Sequence, residues 1–382
     1  MILPPSTLAM LGGGQLGRFF VAAAHEMGYA VWVLDPDAES PAGRIADRHL
    51  SASYDDPEAL TEIARHAAAV STEFENVPAQ TLAFLEARMP VHPSASAVAI
   101  CQNRVAEKSF LRDCGFPHGA FAIIQNEADL AATDKTLFPG ILKVARFGYD
   151  GKGQVTVTDR ERALEAHRVF KGETAVLEKI LALDCEISVV LARDAKGTIQ
   201  TFPPAENQHT NGILDVSIVP ARVSRHLAEE AEDIARRIAE KLGYVGVLAV
   251  EFFVSNGQLF VNEMAPRPHN SGHYTLDACT TSQYAQQVRA MCGLPLHPPR
   301  PHSASVMVNL LGDCWFDRDG KILAPDWNAL YSIPNLALHL YGKREARPGR
   351  KMGHFTVIGD SVCDILPTAL AARGAVCKTY NT

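Results

Sequence analysis

The 382-residue chain scatters eight cysteines along its length with no C-x-x-C pair among them. Neither a zinc framework nor a disulfide scaffold is suggested, and reduced thiols in a cytoplasmic protein are the expectation. There is no excess of positive charge: 36 Lys and Arg against 43 Asp and Glu leave a net charge of −7. A broad nucleic-acid-binding surface is therefore not expected. Any phosphate site must be local, built from glycine amides and a few placed cations. No apolar run approaches the ~20 residues needed to cross a bilayer. The opening MILPPSTLAML has no basic leader region and is broken by Pro4, Pro5 and Ser6, so it does not read as a signal peptide. Internal repeats and low-complexity tracts are also missing. What is present is an ordinary globular composition, 47% hydrophobic and 21% charged, on a chain long enough for two or three domains.

The first third alternates strand and helix. TLAML, a helix from Gln15 to Met27 and AVWVL make a β-α-β unit with a parallel sheet. Between the first strand and the helix lies LGGGQLGR, a G-x-G-x-x-G loop, with Asp35 ending the next strand. That pattern suits a dinucleotide, but a lone glycine fingerprint is weak. SRHLAEEAEDIARRIAEKLG is the clearest helix, with Leu227, Ala231, Ile234, Ala235, Ile238 and Leu242 on one stripe. Ser224 can cap its start and Gly243 can end it. The proline-rich GLPLHPPRPH reads as a boundary near residue 295.

Four stretches carry chemistry. A second glycine loop, FGYDGKGQ (147–154), joins two strand-like runs, so it reads as a hairpin tip able to close over phosphates. Lys143 sits in the apolar strand before it, where an unpaired inward ammonium is costly and a phosphate is a good partner. A solvent-facing strand lysine beside a plain hairpin is the competing reading. Around the Asn256-Gly257 turn, Glu251 and Glu263 fall within one residue of facing each other. Two carboxylates on one face need a cation, and Mg²⁺ suits such a pair; the alternative is that one of them points to solvent. Arg267, His269, Asn270, Ser271 and His273 crowd the loop APRPHNSGHYT, as an oxyanion site would. Lys343, Arg344, Arg347, Arg350 and Lys351 form a basic loop near the end. Arg344 and Arg347 read as solvated, and the others as a landing site for a substrate anion.

Together these stretches resemble the ATP-grasp superfamily and, within it, the N5-carboxyaminoimidazole ribonucleotide synthetases, nearly end to end. The likeness is carried by GGGQLGR (12–18), EFENV (73–77), QNR..EK (102–108), GYDGKGQ (148–154), PAENQHTNGIL (204–214), YVGVLAVEFF (244–253), NEMAPRPHNSGHYT (262–275) and HLYGK.EARPGRKMGH (339–354). It implies a mixed α/β and α+β fold: a Rossmann-like N-terminal domain (1–98), an ATP-grasp core (99–295) with a glycine-rich flap subdomain at about 115–178, and a small β-rich C-terminal domain (296–382). It also implies an enzyme taking ATP, bicarbonate and 5-aminoimidazole ribonucleotide, with Mg²⁺, as a cytoplasmic homodimer without nucleic-acid or membrane partners.

By the same resemblance, Arg104, Lys143 and the flap residues Gly148, Tyr149, Asp150, Gly151, Lys152, Gly153 and Gln154 hold ATP phosphates. Glu178, Lys179, Ile180 and Leu181 line the adenine through backbone groups, Glu186 binds the ribose hydroxyls, and His209 approaches the nucleotide. Glu251 and Glu263 hold Mg²⁺ with Asn262 nearby. Arg267, His269 and Lys343 are the catalytic expectations, holding bicarbonate and the developing anion. Gln15, Leu16, Glu73, Asn76, Asn270, Ser271, Arg350 and Lys351 are expected at the ribonucleotide, with the amides of LGGGQLGR facing it in place of NAD. The rivals are another ATP-grasp ligase, such as a biotin carboxylase or a formate-dependent glycinamide ribonucleotide transformylase, an NAD-dependent oxidoreductase, and a non-catalytic nucleotide sensor.

Overall fold

The computed structural model describes residues 1–146, 153–317 and 319–377. Its N-terminal layer is a four-stranded parallel sheet in the order Arg48–Leu50, Ala30–Leu34, Thr7–Leu11, Ala69–Thr72. The runs TLAML and AVWVL are apolar throughout because helices cover both faces. Helix Gln15–Glu26 buries Leu16, Phe20, Val21 and Ala24 on one side. Helices Pro57–His66, Ala79–Glu86 and Ala95–Cys101 bury Leu60, Ile63, Leu82, Leu85 and Val98 on the other.

A second, antiparallel sheet has the order Phe121–Ile124, Ala175–Lys179, Gly140–Val144, Gln154–Val157. Its last two strands pair from Gly140↔Val157 to Lys143↔Gln154. The second glycine loop is thus the tip of a hairpin, as its flanks predict. Of that loop, Gly148, Tyr149, Asp150, Gly151 and Lys152 lie outside the described residues.

The third sheet has nine antiparallel strands and runs through the rest of the molecule. From one edge come Gln258–Ala265, Gly246–Ser255, Cys185–Arg193, Ala205–Thr210 and Ile213–Val219, then Ala304–Leu311, Lys351–Gly359 and Leu336–Leu340; Ile199–Thr201 pairs with Cys185–Arg193. Helix Arg225–Lys241 lies on one face and buries Leu227, Ala231, Ile234, Ala235 and Ile238, as its stripe requires. Each Leu or Ile so buried contributes about 1.5–3 kcal/mol. Ser224 caps the helix by accepting from the Leu227 N–H at 3.2 Å.

One expectation changes at this level and two features add to the others. The β-rich C-terminal segment continues the large sheet, Val216↔Val308 and Ser217↔Met307 pairing it directly to the strands before it. Helix Gln283–Cys292 gives Tyr284, Val288, Met291 and Cys292 to the core of the N-terminal layer and Ala290 to the core under the large sheet, so it is shared by both. The cysteines are not all reduced: Cys314 and Cys377 form a disulfide with Cα atoms 4.2 Å apart. Sixty-three residues separate them, so only the return of the helix Val362–Val376 onto the sheet brings the two thiols together. The same helix is tied down by the Arg373–Asp215 ion pair.

Gly17 has a packing role that a side chain cannot share. A Cβ there would lie 2.6 Å from the Gly12 carbonyl oxygen, which is backbone and cannot move aside. Gly17→Ala is expected to destabilise the protein by about 1–3 kcal/mol, read as a lower midpoint in thermal or urea unfolding. An unchanged midpoint would contradict the close helix–strand approach.

Candidate active site

The hairpin Gly246–Ser255/Gln258–Ala265 turns on Asn256 and Gly257, both with positive φ (50° and 69°), the conformation of a two-residue I′ turn. From the turn the pairs run Ser255↔Gln258 to Phe252↔Val261 and then jump to Glu251↔Glu263. Asn262 is the extra residue of a β-bulge. Without it Glu251 would oppose Asn262, and Glu263 would point to the other face. The bulge therefore places both carboxylates on one face, opposite each other. Burial, and then the Glu263 charge, push Glu251 up to about 7. That is the signature of a site short of positive charge.

Two cations and an imidazole ring lie around the pair. Arg104, the first residue of helix Arg104–Asp113, reaches Glu263 Oε2 at 3.3 Å. His269 Nε2 lies 3.3 Å from Glu251 Oε1. Lys351, from the C-terminal strand, is close enough to oppose the upward shift of Glu251. Two opposed carboxylates on rigid strands fit Mg²⁺, which takes one or two such ligands and completes its shell with phosphate oxygens and water. Among the neighbours, Glu107 is buried beneath the pair, accepts the Met264 N–H at 2.6 Å and is pushed up to about 8, first by burial.

Lys143 is buried, as its strand predicts, but it is not waiting unpaired. Its Nζ lies 3.1 Å from Glu178 Oε1, and Lys108 Nζ lies 3.1 Å from Glu178 Oε2. Lys108 also donates to the Asn262 carbonyl at 2.8 Å, across the bulge. Glu178 is thus the counter-charge of two buried lysines. Although burial alone would raise it, Lys108 and Lys143 hold it down at about 2. The Glu178 carboxylate is committed to the two lysines, and the adenine wall expected from residues 178–181 involves backbone groups. Beyond it, Lys179 and Ile180 are exposed and donate their amides to Ala120 and Pro139 at 2.9 and 3.2 Å. Glu186 and His209 are paired, Oε2 to Nδ1 at 3.2 Å. Gly153 and Gln154 close the base of the flap hairpin, the Gly153 carbonyl accepting from the Val144 N–H at 2.9 Å.

The donor-rich loop divides into groups that face the site and groups that support it. The Arg267 guanidinium is held by Glu75 at 2.6 and 3.4 Å, a two-point contact that joins the first sheet's 73–77 turn to the hairpin. Asn270 and Ser271 are corrected as substrate contacts. Asn270 is buried and exchanges amide hydrogen bonds with Asn309 at 3.1 and 2.6 Å. Ser271 is fully buried between Ser188 at 2.7 Å and His269 Nδ1 at 2.9 Å.

The first glycine loop is also corrected. Three of its glycine amides turn inward: Gly14 and Gly17 N–H donate to the Glu73 carboxylate at 2.5 and 2.6 Å, and Gly13 N–H to Asp35 Oδ2 at 2.7 Å. A carboxylate of the chain already occupies the helix N-terminus that a pyrophosphate would use. That removes the basis of the NAD reading. Leu16 packs into the core with Phe20, so its side chain cannot meet a ligand, whereas Gln15 and Asn76 are partly exposed. Burial pushes the Glu73 carboxyl up, against the Gly17 and Gly14 amides and a smaller opposing pull from Lys343. Lys343 Nζ donates to the Lys351 carbonyl at 2.7 Å, and Arg350 donates to the Glu345 carbonyl at 2.8 Å. Arg344 and Arg347 pair with Glu39 and Glu345, as solvated residues do.

Behind the loop, Asp277, His339 and His354 place possible ligand atoms within 4.8 Å of one another. Their rings argue against an ion: His339 and His354 stack at 4.7 Å and 21°, so their in-plane lone pairs do not converge. His273 and His354 accept from or donate to Tyr284 and Tyr341 at 2.9 Å each, and burial holds both rings well below their ordinary pKa, uncharged. Sequence reasoning missed Glu75, Lys108, Ser188, Asn207 and Asn309. Glu75, Lys108 and Asn207 lay within the motifs given above, and a search for a buried counter-charge to Arg267 would have pointed to the acids of the 73–77 motif.

Glu178→Gln leaves Lys108 and Lys143 without their shared charge and is expected to cost about 3–5 kcal/mol. Because folding lowers the Glu178 pKa from 4.5 to about 2, the folded state binds fewer protons than the unfolded chain in that window. Its contribution is full above 4.5 and is lost as pH falls toward 2. Acid unfolding of the Gln variant should lack that part of the slope; equal slopes in both proteins would contradict the pairing.

Three domain families match the chain: a ribonucleotide synthetase preATP-grasp domain over residues 6–102, an ATP-grasp domain over 109–284 and a phosphoribosylaminoimidazole carboxylase C-terminal domain over 305–367. The chain is 44% identical to the N5-carboxyaminoimidazole ribonucleotide synthase of Brucella melitensis biotype 1, covering 93% of this chain and 97% of that one. It is 40% identical to the Bacillus subtilis (strain 168) protein of the same name, covering 93% and 92%. The crystal structure of Aspergillus clavatus N5-carboxyaminoimidazole synthase in complex with ADP and 5-aminoimidazole ribonucleotide superposes with a TM-score of 0.87 at 29% identity, covering 98% of this chain and 99% of that one. With a bulged hairpin that opposes two glutamates, a flap hairpin carrying a charge-paired lysine, and these relatives over nearly its whole length, the chain belongs to the N5-carboxyaminoimidazole ribonucleotide synthase family of ATP-grasp ligases.

Proposed function

We propose that this protein carboxylates 5-aminoimidazole ribonucleotide with bicarbonate at the expense of ATP, giving N5-carboxyaminoimidazole ribonucleotide, ADP and phosphate in purine biosynthesis. The observation that carries the reading is the opposed Glu251–Glu263 pair ringed by Arg104, Arg267, His269 and Lys351. It is a metal-phosphate site with an oxyanion site beside it.

Bicarbonate is a poor electrophile, and phosphorylation to carboxyphosphate activates it. Transfer of the γ-phosphoryl group needs positioning and charge neutralisation more than covalent help. Glu251 and Glu263 would hold Mg²⁺, which would supply part of that neutralisation. Arg104 and Lys143 supply the rest, and Gly148–Gln154 closes over the phosphates. Lys143 has Glu178 as its resting partner, and Lys108 stays behind to satisfy Glu178 when Lys143 turns to a phosphate. Lys179–Leu181 lines the adenine, and Glu186 with His209 takes the ribose side of the nucleotide.

Arg267, His269 and Lys343 hold bicarbonate and the anion that develops from it. Glu75 fixes the Arg267 fork. The exocyclic amine of the imidazole then attacks carboxyphosphate, or CO₂ released from it, and the closed flap keeps water from that short-lived species. Gln15, Glu73 and Asn76 sit at the ribonucleotide, and Arg350 and Lys351 take its 5′-phosphate. Family likeness also supports a homodimer acting in the cytoplasm.

Phosphate release from Mg-ATP should require bicarbonate and rise sharply with 5-aminoimidazole ribonucleotide. Release indifferent to the ribonucleotide would reopen the acceptor. Glu251→Gln and Glu263→Gln should each cut ATP turnover about 10²-fold or more; near-normal turnover would overturn the Mg²⁺ assignment. Lys343→Ala should spare ATP binding, measured by titration calorimetry, and stop carboxylation, and unchanged product formation would remove Lys343 from the site.

A further inference from the structure

A row of polar side chains crosses the large sheet and ends on His269. Ser217, Asn207, Ser188 and Ser271 are each buried, on a face otherwise packed with Val190, Ala205, Val219 and Ala249. Ser217 Oγ–H donates to Asn207 Oδ1 at 2.8 Å. Asn207 therefore presents its NH₂ to Ser188 Oγ, at 2.9 Å. Ser188, accepting there, sends its own proton to Ser271 Oγ at 2.7 Å. Ser271 is left with one proton to give, and His269 Nδ1 is 2.9 Å away.

A chain of hydroxyls can in principle run either way, and its far end decides the direction. The Ser271 backbone N–H also points at His269 Nδ1, at 3.4 Å. A backbone N–H can only be met by a lone pair, so Nδ1 carries no proton. With Nδ1 bare, the ring's one proton sits on Nε2, which faces Glu251 Oε1 at 3.3 Å. An imidazolium would set two donors against each other at Nδ1, so the geometry admits only the neutral Nε2–H ring.

We propose that Ser271 is a positioning residue that locks His269 in the Nε2–H tautomer, so that the ring offers the reacting oxyanion a hydrogen-bond donor and cannot serve as the base for the amine. The inference rests on the placing of His269 beside the oxyanion given above. It assigns a purpose to a serine that the resemblance placed on the ribonucleotide. A donor held by a buried chain needs no reorganisation when charge develops on the carboxyl oxygens, which is the condition for electrostatic stabilisation of a transition state. The proton of the exocyclic amine must leave by another group.

The test uses the full-length protein labelled with ¹⁵N-histidine, the His269 signals being identified by their loss in His269→Asn. The expected spectrum shows a lone-pair-type Nδ1 and a protonated Nε2. Ser271→Ala should mix the tautomers and lower kcat about 10–100-fold with the KM for ATP unchanged, and Ser271→Thr, which keeps the hydroxyl, should restore both. A protonated Nδ1 in the unaltered protein overturns the proposal whether or not the alanine variant folds, as does an unchanged tautomer in that variant. A tautomer that shifts while kcat stays put overturns instead the placing of His269 at the reacting centre, and with it the chemical half of the inference.

Discussion

Everything in the site depends on the forced meeting of two carboxylates. Glu251 and Glu263 stand directly opposite each other on adjacent strands, where like charges repel, and burial raises the cost further. Such an arrangement persists only if cations are brought to it. The rest of the structure is arranged to do that, with Arg104 from the helix behind, Arg267 from the loop after the hairpin, and Lys351 from the C-terminal strands. A one-residue bulge at Asn262 creates the problem, and three layers of the molecule combine to solve it. The same bulge frees the Asn262 carbonyl to accept from Lys108, which ties the Gln258–Ala265 strand to the Glu178 carboxylate that holds Lys143.

Charge pairing also explains why the layers do not drift apart. Arg267–Glu75 spans the N-terminal sheet and the hairpin. Arg104–Glu263 spans the connecting helix and the same hairpin. Helix Gln283–Cys292 backs both with apolar contacts. A residue whose fork or ring is held at 2.6–3.3 Å by a neighbour keeps its geometry whether or not a ligand is bound, and that is what a site built for a short-lived anion needs.

The polar interior is easily mistaken for a substrate surface. Asn270 and Ser271 have the composition of ligand contacts, yet both are spent inside the fold, one against Asn309 and the other in the serine–asparagine chain. Glu73 likewise occupies the glycine-loop amides that a phosphate would use elsewhere. In each case the sequence names a hydrogen-bonding group, and only the neighbours decide whether a ligand or the protein satisfies it.

Local patterns were enough for much of the fold. Period-2 and period-3.6 runs identify the β-α-β start, the Arg225–Lys241 helix and the hairpins at 140–157 and 246–265, because these elements are specified by their own residues and turns. The chemistry of Lys143, Glu251 and Glu263 was legible for the same reason: charge in an apolar strand demands a partner. What lay beyond the sequence was every partner distant along the chain. Glu178 for Lys143, Glu75 for Arg267, Ser271 for His269, and Cys314 for Cys377 meet only when the three sheets assemble. The continuation of the large sheet through the C-terminal strands was decided there too, since strand pairing between Ile213–Val219 and Ala304–Leu311 leaves no local signal. The sequence alone determined which groups were charged, polar or strained enough to need company, and the tertiary structure decided which company each of them received.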